Sequence, residues 1–308
     1  MSSAFSIAVT QGDPLGIGPE VTEKALLKKL DLADWKVFGD PSLMPSLPPE
    51  IFVSVSSPSK KLSAKMAGEL SVSALEKAMA AWKHGEVQAL VTAPIAKSHV
   101  HLAGFPFPGH TEFLAEQTGR GDYAMMMAGK RLKVILVTIH HPLKEVPSLL
   151  SSEKIFNKIK QSYLSLKKDF GLSHPRLAIL GLNPHAGEEG LLGREEEDII
   201  KPALEKARLE GLDCQGPLVP DVAFVQALQG KWDALICLYH DQGLIPFKMI
   251  HFKDGVNVTL GLPLVRTSPD HGTAFDIAGQ GIADSSSMEA AMDLCVEILK
   301  NRQKQESA

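Results

Sequence analysis

The chain has 308 residues, 44% apolar and 22% charged, enough for a large core in one big domain or two of about 150 residues. A formal net charge of −4 with scattered Lys and Arg excludes a broad nucleic-acid surface and offers no basic patch for an anionic membrane. Its three cysteines, Cys214, Cys237 and Cys295, lack paired spacing, which argues against a disulfide framework and against a thiolate zinc site.

The opening residues, MSSAFSIAVTQGD, lack a charged stretch followed by a long apolar one, so no leader peptide is expected. No segment reaches the roughly 18 apolar residues of a membrane helix, and a cytoplasmic protein is expected. Residues 6–10 read as a strand, and GDPLGIGPE at 12–20 turns into a helix running to about Leu30. Pro19 suits the first helical position, where its missing N–H costs nothing. Strands follow at 36–39 and 51–55, then a helix at 70–84 with Val72, Leu75, Ala78, Met79 and Trp82 at helical spacing. A short apolar strand at 89–93 precedes a helix at 111–118, strands at 123–128 and 132–138, and a helix at 153–168. A strand at 177–181, a helix at 196–209, a strand at 234–239 and a final helix at 288–302 complete the order. Strands separated by helices predict parallel pairing in a layered α/β fold.

In such sheets ligands bind beyond the carboxyl ends of the strands. Here three strands each deliver a histidine at that end: His140, with His141 beside it, His185, and His240. A single histidine of this kind is more often a hydrogen-bonded structural residue. Three together form a candidate imidazole site for a divalent ion, with positions left open for a substrate oxygen. Asp241 is placed to orient one ring. The acidic run Glu195-Glu196-Glu197-Asp198 reads instead as a solvated helix start, and Cys237, in an apolar run, as a buried inert thiol.

Lys248 and Arg266 bracket Asn257 in a largely apolar segment. The guanidinium fork suits a carboxylate or phosphate, and the Lys ammonium supplies a compact charge or a proton. His110 and Thr111 begin a helix whose N–H groups suit an anion, although capping alone also accounts for Thr111. Gly16-Ile17-Gly18 is not a dinucleotide fingerprint, and no phosphate-binding loop of the GxxxxGK type exists. The run 266–279 reads as a polar turn entering a helix, either cradling a cofactor or merely capping that helix.

Five motifs in order carry a resemblance: GDPLGIGPE at 12–20, GHTEFLA at 109–115, GLNPHAGE at 181–188, YHDQG at 239–243 and RTSPDHGTA at 266–274. Spanning about residue 6 to residue 300, they resemble the 4-hydroxythreonine-4-phosphate dehydrogenase family of vitamin B6 biosynthesis (PdxA-like). The resemblance implies a fold similar to isocitrate and isopropylmalate dehydrogenases: two α/β/α lobes with an active-site cleft between them. The first lobe is expected to hold residues 1–105 plus 266–308. The second, 106–265, is expected to carry most metal and substrate residues and the dimer interface.

The implied activity is an oxidoreductase one: NAD (or NADP) takes hydride from 4-phosphohydroxy-L-threonine, which then loses carbon dioxide to give 3-amino-2-oxopropyl phosphate. The sister activity in the family uses 4-phospho-D-threonate or 4-phospho-D-erythronate, and the motifs do not separate the two. The implied metal ligands are His140, His185 and His240, the last from the partner subunit of a homodimer with shared sites, and the ion is zinc, cobalt or magnesium. Substrate contacts fall on His110, Thr111, Lys248, Asn257 and Arg266, and catalysis on Lys248 and His240. No residue is assigned to the nucleotide. The chain departs from the family pattern at Ile139-His140-His141, where an apolar residue often follows the histidine, and at Leu15, where a smaller residue is common. The same kind of scaffold serves phosphate acyltransferases, which need neither NAD nor three strand-end histidines.

Overall fold

A computed structural model describes residues 5–55 and 62–307; the first four residues of the N-terminal stretch lie outside it. In chain order the elements are β1 (Ser6–Thr10), α1 (Gly18–Lys29), β2 (Asp34–Gly39), β3 (Phe52–Ser54), α2 (Ala64–Lys83), β4 (Ala89–Thr92), α3 (Lys97–Leu102) and α4 (His110–Gln117). Then come β5 (Ala124–Ala128), β6 (Lys133–Leu136), α5 (Val146–Leu149), α6 (Ser152–Phe170), β7 (Leu177–Leu180), α7 (Lys201–Leu209) and β8 (Cys214–Leu218). The last are α8 (Pro220–Leu228), β9 (Ala234–Cys237), α9 (His240–His251), β10 (Val256–Leu260), β11 (Val265–Pro269) and α10 (Ser286–Glu306).

The chain divides into two compact units. The first comprises Met1–Gly121, Lys253–Asn257 and Leu262–Lys304; the second comprises Asp122–Phe252, Val258–Gly261 and Gln305–Ala308. In the first unit the strands run β3-β2-β1-β4-β11, each pair parallel. The apolar runs 7–9 of β1 and 89–91 of β4 are what a strand covered on both faces requires, and Ile7, Val9, Leu90 and Val91 are fully buried. Ser63 caps α2 by accepting from the Met66 N–H, and its Ala67, Leu75, Ala78 and Met79 form the buried face.

In the second unit the order is β5-β6-β9-β7-β8. The β6, β9, β7 and β8 neighbours are parallel, but β5 and β6 pair antiparallel, Met125 facing Leu136 and Met127 facing Val134. Uniform parallel pairing is thereby corrected. Residues 129–132 are too few for a crossover, so the chain must return as a hairpin. Val134, Leu136, Ala178, Leu180, Leu235, Cys237 and Phe247 form one buried cluster. Full burial of each large aliphatic side chain there contributes about 1.5–3 kcal/mol. Ser151 caps α6, which buries Ile155, Phe156, Ile159 and Leu166 and stops at Gly171 in a left-handed conformation (φ 67°).

Candidate active site

Three adjacent parallel strands of the second unit, in the order β6-β9-β7, end side by side, with Leu136 opposite Cys237 and Ile179 opposite Ile236. His140 follows β6, His240 opens α9 directly after β9, and His185 follows β7. The ring centres of His140 and His240 are 5.6 Å apart. Two imidazoles sharing one tetrahedral ion through nitrogen–metal bonds of about 2.1 Å have ring centres about 5 Å apart, so this pair fits a divalent ion. His240 Nδ1 lies 2.7 Å from Asp241 Oδ1. A carboxylate accepts, so Nδ1 carries the proton and Nε2 keeps its lone pair. Gln242 fastens the neighbourhood: its Oε1 accepts from the Leu238 N–H (2.7 Å) and its Nε2 donates to the Gly181 carbonyl (2.7 Å), linking the ends of β9 and β7.

His185 stands apart from this pair. Among the described residues no three His, Cys, Asp or Glu side chains are gathered closely enough to hold an ion. Proximity of His140 and His240 arises within a single chain, whereas the resemblance placed His240 on a partner copy. His141 is exposed in the turn after β6. His185 projects from an unusual turn: His185, Ala186, Gly187, Glu188 and Glu189 all have left-handed dihedrals, with φ of 52°, 53°, 81°, 44° and 56°. Each non-glycine residue in that conformation costs about 1–2 kcal/mol, so the surroundings must hold the turn in place.

Glu196 does much of that holding. Its side chain is buried at 1% exposure, which corrects the reading of 195–198 as a wholly solvated helix start. Glu197 and Asp198 do face solvent, paired with Lys201 and Arg194. Glu196 Oε1 instead accepts from the backbone N–H of Leu182 (2.7 Å) and Asn183 (2.8 Å), and Oε2 from Asn183 Nδ2 (2.9 Å). No sequence signal marked it, because its burial depends on a turn lying 14 residues earlier at Leu182.

The anion-binding candidates lie mainly in the first unit. Arg266, on β11, is 4% exposed, and its Nε and Nη2 donate to Thr92 Oγ1 at the end of β4 (3.1 and 2.8 Å). Burial pushes its pKa down to about 10, opposed by the attraction of Glu112. His110 opens α4 with Thr111 behind it and Glu112 in the first turn. Its pKa lies well below the ordinary imidazole value, first through desolvation and then through the charge of Arg266. His110 Nε2 and Asn257 Oδ1 are buried and have no hydrogen-bond partner among the described residues. Buried polar atoms left open, one of them within the field of the Arg266 guanidinium, are what an anionic, hydroxylated ligand would satisfy. Lys248 lies in the second unit, partly buried on α9, eight residues or about 12 Å of helix beyond His240.

Two features differ from expectation. Residues 266–269 are the strand β11, and 270–281 form turns, not a helix start; α10 begins only at Ser286. The GDPLG turn contains a fully buried Asp13, whose Oδ1 accepts from the Leu15 N–H (2.9 Å) and whose Oδ2 meets His99 Nδ1 (2.8 Å). Cys237 is buried as expected, and desolvation raises its thiol pKa, keeping it protonated and unreactive.

Residues 26–295 match the family model described as pyridoxal phosphate biosynthetic protein PdxA. The chain belongs to that family. A 4-hydroxythreonine-4-phosphate dehydrogenase from Desulfosudis oleivorans is 45% identical over 325 aligned positions, covering 94% of this chain and 95% of the relative. A crystal structure of 4-hydroxythreonine-4-phosphate dehydrogenase from Klebsiella pneumoniae is 38% identical, with a TM-score of 0.85 over 96% of this chain and 98% of that one. A terephthalate 1,2-cis-dihydrodiol dehydrogenase from Burkholderia xenovorans is 26% identical, with a TM-score of 0.69 over 95% and 98%. The α/β fold read from the sequence is therefore that of the PdxA family, whose similar members carry dehydrogenase names.

Proposed function

We propose that the chain catalyses the NAD-dependent, divalent-metal-assisted oxidation and decarboxylation of 4-phosphohydroxy-L-threonine to 3-amino-2-oxopropyl phosphate in pyridoxal 5'-phosphate biosynthesis. Beyond family membership, the observation that carries this reading is the pair of strand-end imidazoles, His140 and His240, 5.6 Å apart. His140 and His240 would hold the ion, and His185, which stands apart from them in the chain, would have to close on it to become the third ligand. Such an ion supplies Lewis acidity toward a hydroxyl or carbonyl oxygen, and the nicotinamide of NAD (or NADP) accepts the hydride.

The chain's own groups supply the rest. Asp241 keeps His240 in the tautomer that leaves Nε2 for the ion. Arg266, charged and buried, faces the carboxylate or phosphate of the substrate. His110 stays neutral near pH 7 and uses Nε2 as a hydrogen-bonding partner, with Thr111 next to it. Asn257 Oδ1 accepts from a substrate hydroxyl or amino group. Lys248 moves a proton or neutralises charge as carbon dioxide leaves.

A homodimer with shared sites is part of the proposal. Ile245, Met249 and Phe252, on and just beyond α9, are exposed large apolar residues at i, i+4 and i+7, on the helix that His240 opens. Free thiols at Cys214, Cys237 and Cys295 support a cytoplasmic location. No described helix is long and apolar enough to cross a membrane. The test is turnover of phosphorylated threonine with NAD, side by side with 4-phospho-D-threonate and 4-phospho-D-erythronate. Faster NADH formation with either of the last two would move the activity to the sister substrate.

A further inference from the structure

We infer that Thr92 is a positioning residue: its buried hydroxyl aims the Arg266 guanidinium and thereby sets how tightly the chain holds the anionic end of its substrate. The inference rests on Arg266 contacting that group, as proposed above. Three observations carry it. Thr92 Oγ1 accepts from both Nε and Nη2 of Arg266, at 3.1 and 2.8 Å, so one edge of the guanidinium is fixed in rotation as well as in place. The two residues lie on neighbouring parallel strands, with Arg266 level with Leu90, so the Arg266 side chain runs along one sheet face to reach Thr92 two residues on. Thr92 is itself fully buried, and the residues after it are tied to β1 and its turn. The Ala93 N–H donates to the Thr10 carbonyl (3.2 Å), and the Pro94 carbonyl accepts from the Asp13 N–H (2.8 Å). Gly12 packs so closely there that a Cβ on it would lie 2.4 Å from the Pro94 carbonyl oxygen.

The chemistry suits a hydroxyl. A neutral acceptor satisfies two guanidinium donors and leaves the positive charge for an anion, whereas a carboxylate at 92 would cancel it. The β-branched Thr side chain is stiff at χ1, so the acceptor keeps one direction. Burial first, and then this same Arg266 charge, keep the His110 imidazole neutral, and its buried Nε2 has no hydrogen-bond partner among the described residues. The guanidinium that Thr92 aims is therefore the one whose charge reaches an open polar atom.

The experiment compares the full chain as wild type, Thr92→Val, Thr92→Ser, Arg266→Ala and the Thr92→Val/Arg266→Ala double variant. Valine keeps the shape and removes the hydroxyl; serine keeps the hydroxyl. Binding of 4-phosphohydroxy-L-threonine without NAD is measured by calorimetry, and kcat and KM are measured with NAD and cobalt. Thr92→Val is expected to weaken binding and raise KM about tenfold or more, with kcat within about threefold of wild type. A charged group held equally before and during the reaction acts on binding alone. Thr92→Ser is expected to restore most of the loss. A purely structural role would instead shrink the folded, active fraction, so kcat would fall while KM stayed. In the Arg266→Ala background Thr92→Val is expected to change kcat/KM by less than about twofold, because the residue it positions is gone. Thr92→Ala replaces Thr92→Val in both backgrounds if the valine variant does not fold. Wild-type affinity and KM in Thr92→Val, or the same loss with and without Arg266, overturns the positioning role while leaving Arg266 in the site. Wild-type affinity in Arg266→Ala overturns the reading of Arg266 itself, and the role of Thr92 falls with it.

Discussion

The charge on His110 gives the most direct consequence at the scale of single residues. Its pKa in the folded chain lies well below that in the unfolded chain, through burial and the nearby Arg266. Between the two values the unfolded chain binds more protons, so stability is fully present above about pH 6.5 and declines as pH falls below it. Denaturant unfolding measured across this range should show that decline in wild type and a smaller one in His110→Gln; equal slopes would contradict the placement. Arg266→Ala or Lys248→Ala should lower kcat/KM on the order of 100- to 1,000-fold, because each removes charge complementarity in a partly dry site. Steady-state kinetics with the phosphorylated threonine checks this, and near-normal kcat/KM in either variant would remove that residue from the site. Candidate residues were legible one at a time because chemistry-bearing types stood at strand ends. Glu196 was not, since an acidic residue inside an acidic run looks solvated until a distant turn closes over it.

Among elements, the apolar strands β1, β4, β7 and β9 and the amphipathic α2 and α6 could be read from periodicity alone. β8 escaped because CQGPL is polar, half exposed and at the edge of its sheet order. α9 escaped because it opens on a polar motif and contains Pro246, which ordinarily argues against a helix. β10 and β11 were hidden inside a segment whose charged residues drew attention to binding, although Val256, Val258 and Leu260 alternate as a strand should. The hairpin joining β5 to β6 shows that connection length, not strand composition, decides pairing direction. The link between β9 and β7 through Gln242 yields a prediction at this scale. Gln242→Ala leaves the Leu238 N–H and the Gly181 carbonyl without that partner and should cost about 1–3 kcal/mol in urea unfolding. No measurable loss would mean that the two strand ends are held by other contacts.

For the molecule as a whole, the five motifs fixed the family, and the comparisons over nearly the full chain agree with that. Sequence motifs gave no ordering of the three histidines in space; strand order did, placing His140 and His240 beside each other and His185 in the turn after the next strand. The assembly prediction follows from Met249 and Phe252, which are 82% and 75% exposed. Met249→Asp combined with Phe252→Asp should convert a dimer to monomers in light scattering and lower turnover, with the far-ultraviolet spectrum retained. A dimer that survives both changes would place the interface elsewhere. The most direct test of the whole account is NADH formation by chelator-stripped chain mixed with NAD and 4-phosphohydroxy-L-threonine, before and after cobalt or zinc is restored. The account predicts little NADH without the ion, a strong rise with it, and loss of that rise in His240→Ala. Full turnover by His240→Ala, or no NADH with any divalent ion, would contradict it.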